Sequence, residues 1–274
     1  MKVYLCALAK NEHLYINEWV NHYLKLGVDK IFIFDNDDKD APNIRDYIDK
    51  ECLSQIRIIN ARGIHRPKMQ HEFYTNFYNV EKDNFDWCIF CDIDEYLVGV
   101  DNIKTFLKQP QFNGPFQIRI KWKLYGDDDI IERDTSKPLL GAFTKEITCS
   151  LNNNLTKRVY LEKQGKAIVK GHLKNVVINS PHYAMYSTMP KILPSVLPSG
   201  RKCYSGVVIE EDYSNESVFF NHYMTKSLKE FIDQKMNRTD AVFGERILKL
   251  NYFWRINKKT PEKLEYLKKL GFID

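Results

Sequence analysis

The residues of this chain best suited to chemistry are two aspartates that directly follow an apolar run. In DWCIFCDIDEYLVG, residues 86–99, Asp92 and Asp94 stand one residue apart and Glu95 follows them. Clustered carboxylates repel one another unless a cation neutralises them, and hard divalent ions bind carboxylate oxygens. The stretch therefore favours a divalent metal site with positions left for phosphate oxygens. A solvated turn with acidic caps for a following helix is the alternative interpretation.

Apolar residues follow a strand pattern and a helix pattern in turn along the first half of the chain. These patterns predict the strands and helices that position the two aspartates. Short apolar runs predict buried strands at 2–9, 30–35, 55–60 and 86–93. Helical spacing of apolar residues predicts helices within 13–27, 43–53 and 68–80. This alternating order predicts an α/β fold with a doubly wound, mostly parallel central sheet flanked by helices.

The predicted strand ends carry polar residues. In open sheets of this kind, ligands bind beyond the carboxyl ends of the strands. The three polar ends are AKNE (9–12), DNDD (35–38) and DIDE (92–95). We expect them to frame one crevice.

The second half of the chain has a less regular pattern. It contains a long alternating strand at 115–126, strand-like pieces between 145 and 220, and a proline-rich loop at 189–200. Helical patterns return near the C-terminus. The simplest division is one domain over 1–225 with a helical extension over 226–274 packed on the same domain.

Charge, cysteine content and the length of apolar stretches argue against several classes of protein. The formal charge of +5 is diffuse, which argues against a nucleic-acid partner. The six cysteines do not indicate a disulfide scaffold in a chain of 274 residues. No apolar stretch reaches the roughly 18 residues of a membrane span, so we expect a cytoplasmic protein. The basic stretch at 257–271 fits either peripheral contact with the inner membrane face or a solvated surface helix.

Three stretches of the sequence carry a family resemblance. ALAKNEHLYINEWVNHYLKLGVDKIFIFDNDD, WCIFCDIDEYL and FFNHYMTKSLKEFIDQKMNR together resemble the glycosyltransferase family 2-like and family 92 group. The resemblance covers residues 1–125 and 216–240 well and the region between them loosely. It implies a fold of the GT-A type and a nucleotide-sugar donor, with a UDP-sugar favoured.

The resemblance also implies roles for individual residues. Asp92 and Asp94 match the metal-diphosphate motif, and His222 matches a late histidine that completes the site for Mn²⁺ or Mg²⁺. A structural histidine after a strand is the alternative for His222. Lys226 opens the following helix, where it either faces a diphosphate or is a surface lysine.

The nucleotide end of the crevice is expected near the first two polar strand ends. Glu12 has an alternative role as a helix cap, and Gln70 has an alternative as a solvated side chain. The expected nucleotide-binding residues are Ala9, Asn11, Glu12, Asp35, Asn36, Gln70, Asp92 and Lys226.

The resemblance further implies transfer of a hexose to a hydroxyl of a glycan or lipid-linked acceptor, and this reaction needs a general base. The candidates are Asp128, ranked first, and Asp127, with a solvated acidic turn as the alternative. Glu95 is a candidate for orienting donor or acceptor, with anchoring of the turn as the alternative. Inversion at the anomeric carbon is implied by the resemblance alone.

Two other classes of protein share some of these features. A sugar nucleotidyltransferase would also use paired aspartates and a divalent ion, but it would carry a glycine-rich phosphate loop, and CALAKNEH (6–13) has no glycine. A non-catalytic nucleotide- or glycan-binding module would keep the fold without turnover.

Overall fold

The N-terminal half forms a parallel sheet in the computed structural model. Its strands are β1 (Val3–Ala9), β2 (Lys30–Asp35), β3 (Ile56–Asn60) and β4 (Trp87–Phe90). β1 pairs in parallel with both β2 and β4, and β2 pairs in parallel with β3. The resulting strand order is β3-β2-β1-β4. Strands β2 and β3 lie on one side of β1 and β4 lies on the other, so β1 is the topological switch point. In open α/β sheets such a switch point is where a ligand crevice forms.

The structure describes most of the chain. The described residues are 1–147, 150–153, 157–160, 163–204, 206–207, 209, 213–236, 238 and 248–273.

Further strands extend this sheet to ten strands within the described residues. They are β5 (Glu95–Val98), β6 (Gln117–Leu124), β9 (Gly165–Lys170), β12 (Ser195–Val196), β13 (Lys202–Cys203) and β14 (Phe219–His222). β9 runs antiparallel between β4 and β6. β14 lies parallel to β6 and antiparallel to β5. Two hairpins lie outside this sheet, β7 (Ser150–Asn153) with β8 (Lys157–Tyr160) and β10 (Val176–Ser180) with β11 (Tyr183–Tyr186).

Helices cover the sheet on both faces. α1 (Ile16–Leu26) packs Trp19 and Tyr23 into one buried apolar cluster, and α2 (Met69–Glu81) packs Tyr74 into a second. α3 (Ile103–Leu107) joins the first cluster. Gly27 ends α1 in a left-handed conformation, which favours glycine.

The C-terminal elements are short. α4 (Leu228–Glu230) continues directly into a π-helical turn (Phe231–Lys235), followed by α5 (Leu250–Ile256) and α6 (Pro261–Lys269). Within the described ranges, no helix combines the length and apolar character needed to span a bilayer.

The predicted α/β class with a mostly parallel central sheet flanked by helices is confirmed. The predicted helix at 43–53 is wrong, because two 3₁₀ segments replace it, Ile44–Tyr47 and Lys50–Gln55. Between them the backbone is extended, and Asp49 accepts a hydrogen bond from Asn21 of α1. Tertiary hydrogen bonding thus overrides a local pattern that fits a helix.

The proline-rich stretch at 189–200 is not only a loop. Its residues Ser195–Val196 form β12, which pairs with β6. The helical patterns near the C-terminus include ERILKLNYFWRI (245–256), whose residues 245–247 lie outside the described ones. The division into residues 1–225 and 226–274 stays a prediction.

A buried glutamate fixes the start of α4. Its ionisation makes the free energy of unfolding depend on pH. Glu230 accepts hydrogen bonds from Ser227 and Tyr15 and pairs with Arg133 at 3.2 Å. Burial raises the pKa of Glu230, but the hydrogen bonds from Ser227 and Tyr15 lower it more, so the net pKa lies below the ordinary 4.5. The stabilisation is therefore complete above the ordinary value and is lost as the pH falls through the folded-state pKa.

We expect the Glu230→Gln variant to lose less unfolding free energy than wild type between about pH 5 and pH 3. Urea denaturation across this range measures the difference. Glu265→Gln, at an exposed glutamate of α6, is the control and should follow wild type. Identical acid dependence in wild type and Glu230→Gln would contradict the expectation.

Candidate active site

The Asp92–Glu95 turn lies at the switch point of the sheet. It connects β4 to β5, and Glu95 closes it by accepting a hydrogen bond from the backbone N–H of Asp92 at 3.0 Å. The indole N–H of Trp19 donates to the carbonyl oxygens of Asp92 and Glu95 at 3.2 and 3.1 Å. α1 therefore holds the backbone of the turn through Trp19.

Asp92 is the most exposed carboxylate of the turn, with 35% of its side chain accessible. It accepts hydrogen bonds from Gln70 at 3.1 Å and from the fully buried Lys166 at 2.6 Å. Burial raises the pKa of Asp92, but the Lys166 ammonium outweighs this effect and keeps the net pKa below its usual range. Lys166 reaches Asp92 because β9 pairs antiparallel with β4.

Asp94 is buried and forms an ion pair with Lys235 of the π-helical turn. Its other oxygen, Oδ1, lies 3.6 Å from Nε2 of His222. Burial raises the pKa of Asp94, but Lys235 and His222 hold the net pKa well below its usual range. Asp94 is therefore a carboxylate at neutral pH.

Asp94, Glu95 and His222 form a compact group of potential metal ligands. One ligand atom from each lies within 4.8 Å of the others. The strand register explains this closeness, because His222 on β14 pairs with Glu95 on β5. Burial raises the pKa of Glu95 well above its usual range and lowers the pKa of His222 to about 4. A neutral imidazole offers a nitrogen lone pair to a metal.

Two buried atoms of this group lack hydrogen bonds. Among the described residues, Glu95 Oε1 and His222 Nδ1 have no hydrogen-bond partner. They lie 3.7 Å apart, and Lys166 Nζ lies 3.3 Å from Glu95 Oε1. Buried polar atoms normally have partners, so these two are suited to receive one. Carboxylate oxygens with one imidazole fit Mn²⁺ or Mg²⁺. The group differs from the predicted metal ligands in containing Glu95 and not Asp92.

Basic side chains line the same site. Lys226 is buried, has a positive φ of 58°, and lies 3.2 Å from Glu12. Burial lowers the pKa of Lys226, against the opposing effect of Glu12. Arg238 also pairs with Glu12 at 3.2 Å. A left-handed, buried lysine is a strained arrangement of the kind found at functional sites. Glu12 thus orients two cations, and its side chain does not cap α1, whose N-cap residue is Tyr15.

The residues expected at the nucleotide end lie at the ends of β1 and β2. The carbonyl of Ala9 accepts the backbone N–H of Asn36 at 2.9 Å. The Asn36 amide donates to the carbonyls of Ala61 and Ile64, and Asp35 pairs with Arg62 at 3.3 Å. Together these contacts connect the loop after β3 to the ends of β1 and β2.

The loop after β1 is also held by a carboxylate. The backbone N–H of Asn11, which has a positive φ, donates to Asp37 Oδ1 at 2.6 Å. This bond fixes the loop against the end of β2.

The predicted base candidates follow β6, whose last residue pairs with His222. Asp127 is buried and pairs with Lys263 of α6 at 2.5 Å. Asp128 is half-buried and accepts the backbone N–H groups of Thr144 and Lys145 at 2.6 and 3.1 Å. Burial raises the pKa of Asp127. The role of either residue as base stays a prediction.

Sequence reasoning missed the cations that neutralise the carboxylates. These cations are Lys166, Lys235 and Arg238. One signal was available, since Lys235 follows Leu228 and Phe231 at helical spacing and so falls on an apolar stripe. Lys166 gave no comparable signal, because it reaches the site only through the pairing of β9 with β4.

Comparisons with known proteins yield structural likenesses only. No protein-family model matches the chain. No curated protein matches it in sequence. A structure described as a glucose-1-phosphate thymidylyltransferase of Bacillus anthracis is 10% identical, with a TM-score of 0.31, over 62% of this chain and 69% of that one. HddC of Yersinia pseudotuberculosis is 12% identical, with a TM-score of 0.35, over 81% of this chain and 90% of that one. At these TM-scores neither likeness carries an argument about activity.

The chain is an α/β protein with a Rossmann-like strand order, and it has an acidic, histidine-containing cluster at the switch point of the sheet.

Proposed function

We propose that this protein is a metal-dependent glycosyltransferase. It would transfer a hexose from a UDP-sugar to a hydroxyl of a glycan or lipid-linked acceptor. The observation that carries the proposal is the convergence of Asp94, Glu95 and His222 within 4.8 Å at the switch point of the sheet. The resemblance of the sequence to glycosyltransferase family 2-like and family 92 proteins supports it.

In this proposal, Asp94, Glu95 and His222 would hold Mn²⁺ or Mg²⁺. Such an ion would supply Lewis-acid stabilisation of the departing diphosphate. Asp92 has the exposure needed to contact the donor, and Gln70 and Lys166 fix its carboxylate. It is assigned to donor binding.

Lys226 and Arg238 are assigned to binding the phosphates of the donor. Lys226 and Arg238 are oriented by Glu12, so their positive charges are preorganised before a ligand arrives. A buried ammonium is a strong partner for a phosphate oxygen, because solvent screens it little. This preorganised charge lowers the cost of releasing UDP.

The general base is assigned to the loop after β6. Asp128 is half-buried, whereas Asp127 is buried in its ion pair with Lys263. Asp128 is therefore the one of the two that is accessible to an acceptor hydroxyl. The proposed reaction is inversion, with Asp128 removing the proton of that hydroxyl.

The alternative of a sugar nucleotidyltransferase predicts a different product. A panel of UDP-hexoses with Mn²⁺ and a hydroxyl acceptor such as lactose or water should release UDP. UTP with a hexose 1-phosphate should release no pyrophosphate. Both products are measured by coupled enzymatic assays, with EDTA as the metal-free control. Pyrophosphate release without UDP release would overturn the proposal in favour of the nucleotidyltransferase. Release of neither product would favour the non-catalytic binding module.

A further inference from the structure

Lys235 places a positive charge on Asp94, one of the three proposed metal ligands. Its ammonium pairs with Asp94 Oδ2, and it is 5% exposed. Asp94 Oδ1 faces His222 Nε2 at 3.6 Å. The carboxylate that belongs to the potential metal ligands is thus already neutralised by a cation of the chain itself.

The local backbone brings this lysine inward. Lys235 ends the π-helical turn Phe231–Lys235, and Phe231, Gln234 and Lys235 of that turn are buried. Single π-turns are rare and occur often at functional sites. The ammonium also donates to the carbonyl of Met224 at 2.5 Å, so it bridges the turn after β14 and the Asp92–Glu95 turn. Lys229 of α4, which precedes Lys235 in the chain, has 40% of its side chain exposed and pairs only with Asp233 among its described ion pairs.

Electrostatics makes the ammonium and a divalent ion competitors. Both positive charges would lie within a few ångströms of Asp94 in a buried site, where like charges repel strongly. Lys226 and Arg238 already bring positive charge to the neighbouring Glu12. A diphosphate brings negative charge to the same crevice, so an ammonium released from Asp94 has a new partner at hand.

We propose that Lys235 is a place-holding cation, which leaves Asp94 when a divalent ion binds and then binds an oxygen of the donor's diphosphate. This inference rests on the proposed function, because it requires a metal at Asp94, Glu95 and His222. Lys235 thereby acts twice, first by neutralising Asp94 in the metal-free protein and then by binding the phosphates. It couples metal binding to donor binding.

Lys235→Met tests competition with the metal ion and binding of the diphosphate separately. Methionine keeps approximately the length of the lysine side chain but carries no charge. Binding of Mn²⁺ alone is measured from the electron paramagnetic resonance signal of the free ion, using protein stripped with EDTA. Lys235→Met should bind Mn²⁺ at least about tenfold more tightly than wild type, because the competing charge is gone. At saturating Mn²⁺ it should bind UDP about tenfold more weakly in calorimetry, because one phosphate partner is lost. The matched control Lys229→Met should behave as wild type in both measurements.

The outcomes distinguish this inference from the proposed function. Equal Mn²⁺ affinity in wild type and a folded Lys235→Met would overturn the inference and leave the proposed metal site intact. Absence of Mn²⁺ binding in both proteins would overturn the metal site and the inference with it.

Wild-type crystals with Mn²⁺ and UDP provide a readout that does not depend on the variant folding. The expected structure has Lys235 Nζ on a diphosphate oxygen. A structure in which Nζ still contacts Asp94 Oδ2 would contradict the inference.

Discussion

Replacing Asp94 with asparagine is expected to abolish Mn²⁺-dependent UDP binding and to lower UDP release from UDP-sugars by at least about 100-fold. Asparagine keeps the shape of the side chain but removes the charge that both Lys235 and His222 face. The pKa of Asp94 is held well below its usual range, so the side chain is an ionised carboxylate in the wild-type protein. Calorimetry with UDP, with and without Mn²⁺, measures the loss.

The matched control for this substitution is Asp233→Asn. Asp233 lies on the same π-helical turn as Lys235, but 53% of its side chain is exposed and it pairs with Lys229. Exposed ion pairs contribute little, so this variant should bind UDP as wild type does. Circular dichroism establishes that Asp94→Asn is folded. Retention of Mn²⁺-dependent UDP binding by folded Asp94→Asn would exclude Asp94 as a ligand.

Replacing Lys263 with methionine is expected to destabilise the protein by about 3–5 kcal/mol. Lys263 is fully buried and pairs with Asp127 at 2.5 Å and with Asp129 at 2.9 Å. Removing the ammonium leaves Asp127 as a buried carboxylate without its counter-ion. Because Lys263 lies on α6 and Asp127 follows β6, this pair joins the C-terminal helix to the sheet. Urea denaturation measures the change in unfolding free energy.

Two further variants test the physical reason for this loss. Lys269→Met removes an exposed lysine of α6 that pairs with Glu265, and it should change stability by less than about 0.5 kcal/mol. The double variant Lys263→Met/Asp127→Asn removes the uncompensated charge and should recover part of the lost stability. If Lys263→Met were as stable as Lys269→Met, the buried pair would not anchor α6.

The parallel N-terminal strands of the sheet could be predicted because each follows a local pattern in the sequence. The apolar run from Val3 to Ala9 and the helical spacing from Ile16 to Leu26 need no knowledge of distant residues. Gly27 marks the end of the helix in the sequence itself. The segment at 43–53 could not be predicted in the same way, because Asp49 interrupts it through hydrogen bonds with α1.

The side chains that the site takes from strand ends were predicted from the sequence. The side chains that reach it from positions far away in the sequence were missed. Asp94 and His222 lie together as expected, since both follow or end strands of one sheet. Glu95 joins them because of the register of β14 on β5, which the sequence does not reveal. The cations were missed because Lys166 lies 74 residues from Asp92, and Lys235 lies 141 residues from Asp94.

A calorimetric titration of the metal-stripped wild-type protein with UDP, with and without Mn²⁺, decides whether the crevice is a nucleotide-diphosphate site. The structure-based proposal predicts binding with Mn²⁺, little or no binding after EDTA, and weaker binding of GDP than of UDP. UDP binding that is unchanged by EDTA, or no UDP binding in either condition, would contradict the assignment of Asp94, Glu95 and His222 as the metal ligands of a glycosyltransferase.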